Sequence, residues 1–90
     1  MKSFLYSIHD IKAGYFSKPF QAQNDEVAIR IIANTFTDPK MLDSEYVKNA
    51  DDFKLYRVAE FDDSMGHVES SLELLIELAR FKFDLEQEDL

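Results

Sequence analysis

Apolar and polar positions alternate from Ser3 to His9. Phe4, Tyr6 and Ile8 point one way and Leu5, Ser7 and His9 the other, so period two predicts a strand. A loop ending in Gly14 leads to a second strand over 15–22, its hairpin partner, and Pro19 assigns that strand to an edge because proline has no N–H to give a ladder. Asn24 then caps a helix over 25–37, with Asp25 and Glu26 in its first turn and Ala28, Ile31, Ile32 and Phe36 as its buried stripe. Asp38-Pro39 stops it. A polar connector over 38–52 has room for one helical turn at 44–48, with Tyr46 pinned to the core.

Phe53 to Phe61 alternates again and predicts a third strand, closed by a turn through Asp62, Asp63, Ser64 and Gly66. A short return strand starts at His67. Residues 71–85 read as a helix that is apolar on two sides. Leu72, Leu75, Ile76, Ala79 and Phe83 form one stripe, and Leu74, Leu78, Phe81 and Leu85 the other, with centres roughly 150° apart. A helix on a monomer needs only one such stripe. The second predicts a homodimer built through Leu74, Leu78, Phe81 and Leu85, or else a connector that folds over them with Leu42, Tyr46 and Val47. Alternation over 80–85 leaves a strand as the alternative there, and residues 86–90 are expected to fray as an acidic tail.

The whole reads as one domain, residues 1–90, of class α+β: a small antiparallel sheet with two helices on one face. Leu5-Tyr6-Ser7-Ile8 and Leu55-Tyr56-Arg57-Val58 match, and each stretch runs on toward a glycine and a helix. That suggests a ββα unit over 1–37 and another over 53–85, with Tyr6, Ile8, Tyr56 and Val58 facing the helices. Leu5, Ser7, His9, Leu55, Arg57, Ala59 and Phe61 would then face away, joined by Tyr15. Aromatic rings beside a cation on such a face suit stacked bases, and the same face suits a protein partner. His9, Tyr15, Arg57 and Phe61 are therefore the candidate contact residues.

Charge narrows the partner. The net charge is −8, and all of the excess lies in the last third: residues 1–57 balance eight basic against eight acidic, while residues 58–90 hold two against ten. Duplex DNA would be repelled by that balance. No cysteine is present, so there is neither a disulfide framework nor a thiolate metal site. The two histidines, His9 and His67, have no nucleophile signature around them, and Asp62-Asp63-Ser64 lacks the alternating acids of a calcium loop. The expectation is a protein without enzyme activity, metal or cofactor. No apolar run approaches the roughly 20 residues of a membrane span, and with Met1-Lys2 leading directly into a strand no signal peptide is expected.

In the strands and first helix the sequence resembles the small nonstructural protein of gokushovirus-type microviruses, phages with a circular single-stranded DNA genome. Leu5-Tyr6-Ser7-Ile8-His9-Asp10, Pro19-Phe20, Asn24 with Val27-Ala28 and Arg30, Asp38-Pro39, Phe53-Lys54-Leu55-Tyr56 and Phe61-Asp62-Asp63 with Gly66 carry the resemblance, over roughly residues 1–69. Ala59 stands where the family commonly has glycine, and the C-terminal helix lies outside the match. The resemblance implies an accessory role in viral DNA synthesis, at the switch from duplex replication to single strands for packaging, in the host cytoplasm. Its partners would be a replication protein, single-stranded DNA, or both; an acidic interaction module that mimics nucleic acid is the alternative. The resemblance carries over no catalytic residue.

Overall fold

The computed structural model describes residues 1–88. Five strands, β1 (Lys2–Asp10), β2 (Tyr15–Phe16), β3 (Phe20–Ala22), β4 (Phe53–Asp62) and β5 (His67–Glu77), form one antiparallel sheet. The order across it is β2-β1-β4-β5, with β3 also paired to β1. Helices α1 (Asp25–Thr35), α2 (Glu45–Lys48) and α3 (Ala79–Glu88) complete an α+β fold, with 3₁₀ turns at Pro39–Met41 and Ala50–Asp52.

The second expected strand is broken in two, and the break falls at Ser17–Pro19. Pro19 cannot donate to β1, so the ladder stops there. Serine side chains bridge the gap. Ser17 Oγ accepts from the Ile8 N–H at 3.0 Å, and Ser7 Oγ donates to the Ser17 carbonyl at 2.7 Å. Ser7 is thereby satisfied at 2% exposure. Gly14 and Gly66 close the β1–β2 and β4–β5 turns at φ 78° and 67°, a region that side chains disfavour.

Asn24 caps α1 as its sequence signals, accepting from the Val27 N–H at 2.9 Å. Ala28, Ile32 and Phe36 are buried beneath the sheet. Ile31, expected in that stripe, is 45% exposed, because it sits about 100° around the helix from Ile32. The core joins these residues to Tyr6, Ile8, Ala22, Phe53, Leu55, Ala50, Leu78 and Phe81. Tyr46 of α2 packs on Phe53 with ring centroids 4.9 Å apart.

The expected helix over 71–85 is not formed as such. Its first half is β5, paired to β4 from Lys54↔Glu77 to Asp62↔His67, and its second half is α3. The physical reason is visible in the pattern. Leu72, Leu74, Ile76 and Leu78 recur at every second position, interrupted by Leu75 where the β4–β5 register shifts, and a period-two pattern drawn on a helical wheel gives two opposed stripes. Alternation over 80–85 misleads in the other direction. Phe81 and Leu85, one helical turn apart, both meet the core, whereas Phe83 is 54% exposed. Arg80 and Asp84 pair along the helix at 3.1 Å. Residues 86–88, expected to fray, belong to α3; the rest of that tail lies outside the described residues.

The presumed subunit contact dissolves with the helix. Leu78 (0% exposed) and Phe81 (8%) lie in the chain's own core, and Leu85 packs against it. Only Leu74, 45% exposed on β5, remains on the surface. The cover is mainly Phe36 at the C-terminal end of α1, whose ring is 5.3 Å from that of Phe81, together with Ala50. Tyr46 and Val47 contribute, but Leu42 is 49% exposed.

Candidate binding face of the sheet

Every helix packs on one side of the sheet, so register decides what faces the other. Ile8 lies opposite Leu55 and Tyr6 opposite Arg57, which puts all four on the helix side. His9 pairs with Phe16 and with Lys54, and Ser7 with Tyr56, so these residues point away from the helices. The expected phase of β4 is therefore inverted: Leu55 and Arg57 point inward and Tyr56 outward. The matched tetrapeptides are not structural equivalents, since Tyr6 and Tyr56 lie on opposite faces. A bulge at Val58, opposite Leu5 and Tyr6, returns Ala59 and Phe61 to the outward side, where they pair with Leu5 and Ser3.

The outward side is an open apolar face. His9, Phe16 and Tyr56 form an aromatic trio with centroid separations of 4.5, 5.4 and 6.2 Å. Next to them β5 sets Leu74 opposite Tyr56 and Val68 opposite Phe61. Phe16, Val68, Leu72 and Leu74 are 42–66% exposed. The charges that register assigns to this face are Lys54 and Glu77, which pair with each other at 3.7 Å.

Of the four residues expected to make contacts, His9 and Phe61 belong to this face. Tyr15 does not. It pairs with Asp10 on the helix side and lines a groove of about 270 Å³ with Ile8, Tyr46 and Phe53. Arg57 is occupied on the helix side too. Its guanidinium donates to Asp25 Oδ2 at 2.6 Å and to the Glu73 carboxylate, and it lies 5.5 Å from the centre of the Phe4 ring. The hydrogen bond it donates to Asp25 raises the Arg57 pKa further. Tyr6 completes the network, its hydroxyl donating to Asp25 Oδ1 at 2.8 Å. Burial, then the bond to Asp25, pushes the Tyr6 phenol well above its ordinary value.

Phe16 and Leu72 were not singled out as contact residues, and Leu74 was expected only in the dimer stripe. Phe16 was legible as an aromatic two places after a turn glycine, but placing it beside His9 needs the β1–β2 register. At the far turn, Asp62 Oδ1 accepts from the backbone and the hydroxyl of Ser64, which lowers the Asp62 pKa. Among the described residues no three His, Cys, Asp or Glu side chains are grouped to hold a metal ion, and no helix is long and apolar enough to cross a membrane.

Comparison with known proteins adds one relationship. No curated protein and no solved structure matches the chain. The family model described as Phage ORF5 protein matches residues 3–81, from the start of β1 into α3, and this chain is a member of that phage protein family.

Proposed function

We propose that this chain is a non-enzymatic accessory protein of phage genome replication. It assists single-stranded viral DNA synthesis in the host cytoplasm, in phages of the gokushovirus type, by binding a replication protein through the open sheet face. One observation carries this reading: a ninety-residue chain of net charge −8 keeps one side of its sheet apolar, aromatic and free of net charge. Soluble monomers seldom leave such a surface uncovered without a use for it. Its flat apolar centre with aromatic anchors has the composition of a protein interface core.

A second reading has its own support. Three clustered rings beside Lys54 form a platform on which the bases of single-stranded DNA could stack. The supply of cations weakens this reading, because Arg57 points the other way and Lys54 is already paired. Calorimetric titration against the replication protein of the same phage, with oligothymidylate in parallel, separates the two. Saturable protein binding that is lost in Phe16→Ser supports the lead reading. Oligothymidylate binding that weakens steeply with salt supports the second. Failure of both ligands to bind at low salt contradicts the assignment of this face.

A further inference from the structure

The two edges of the sheet are built differently. One is made of β2 and β3, two and three residues long, interrupted at Pro19. Short strands and proline are the usual guards against edge-to-edge pairing. The other edge is β5, eleven residues with neither proline, lysine nor arginine. Among the described residues it pairs with β4 alone. One side of β5 therefore presents backbone donors and acceptors to whatever can pair with them.

Its acidic residues decide which occupant fits. Glu69, Glu73 and Glu77 recur every fourth position, which would repel an acidic strand brought up in the wrong register. A two-fold axis at Leu72, the midpoint of β5, avoids this. Antiparallel pairing about Leu72 sets Glu73 opposite Ser71 of the second copy and Glu69 opposite Leu75, so no glutamate faces another. Shifting the axis to Ser71 or to Glu73 opposes glutamates directly. The central register also brings Leu72 (66% exposed) against its own copy and Leu74 (45% exposed) against Ser70, covering apolar surface on the open side.

We propose that a second copy of this chain pairs through β5, antiparallel and centred on Leu72, giving a C2 dimer with one continuous sheet. The two open faces then lie side by side and present a doubled surface. This inference does not depend on what that surface binds.

The absence of cysteine makes the test direct. Opposed residues of an antiparallel pair have Cα separations of about 4.5–5.5 Å, within disulfide range. The wild type is expected to sediment at twice the mass of one chain, and mild oxidation should convert most of a Leu72→Cys variant to a covalent dimer. An Ile31→Cys variant on α1 should form no covalent dimer under the same oxidation. Leu72→Lys should halve the sedimenting mass with an unchanged circular dichroism spectrum. A wild type that sediments as a monomer at high micromolar concentration overturns the proposal. So does a dimer that cross-links no better through Leu72→Cys than through Ile31→Cys.

Discussion

The two faces of the sheet use similar residues for opposite ends. The inner face sets Tyr6, Ile8, Phe53 and Leu55 against α1 and α3, all at 6% exposure or less. The outer face carries Phe16, Tyr56, Phe61, Leu72 and Leu74 with no helix over them among the described residues. The inner face also holds the ionic network of Tyr6, Asp25, Arg57 and Glu73, which ties the N-terminal end of α1 to β1, β4 and β5. Among the described residues the outer face has no comparable network beyond the Lys54–Glu77 pair. Apolar content alone therefore does not identify the core of a domain this small. What identifies it is where the helices and the buried polar partners are.

Substitution should expose this asymmetry most strongly at Leu78. Leu78→Ala removes a side chain with no exposure and should cost about 2–5 kcal/mol in urea unfolding. That is a large part of the roughly 5–15 kcal/mol of a typical domain. A cost near zero would mean that the inner face is no core.

Tyr6→Phe should come next, at about 1.5–3 kcal/mol, since it deletes a hydrogen bond to a carboxylate. It also carries a pH signature. The folded-state value of the phenol is raised, so its contribution is complete below the ordinary value of 10.0 and declines as pH climbs above it. Wild-type stability should fall toward that of Tyr6→Phe in the alkaline range. Parallel pH profiles for the two proteins would refute the network.

Asn24→Ala should cost about 1 kcal/mol through loss of the α1 cap. The smallest effects are expected on the outer face. Phe16→Ser and Leu74→Ser should each stay within about 0.5 kcal/mol of wild type, as surface substitutions do. A much larger loss at either would make the outer face structural.

Local signals fixed the parts of the fold that local chemistry controls. The Asn24 cap, the stop at Asp38-Pro39, the interruption at Pro19 and the glycine turns are each decided by a few neighbouring atoms. In the C-terminal third, residues 71–77 form a strand where a helix is expected, because the deciding partner is distant. Leu72 to Glu77 become a strand by pairing with Lys54 to Arg57, and alternation there can be counted equally well as two helical stripes. The outward face was legible in kind but not in phase. That one side of the strands would be apolar and open follows from the sequence. Which side Arg57 and Tyr56 occupy depends on register and on bulges, which leave no local mark. His9 and Phe61 lie on the outward face as expected, while Tyr15 and Arg57 lie on the helix side.

The most direct test of the open face combines a phage with a purified protein. Phe16→Ser and Leu74→Ser are introduced together, and single-stranded viral DNA is quantified in infected cells while urea unfolding is measured on the isolated chain. The expected result is an unfolding midpoint near that of wild type with a sharp fall in single-stranded DNA. Wild-type levels of single-stranded DNA from the folded double variant would contradict the assignment of this face to replication.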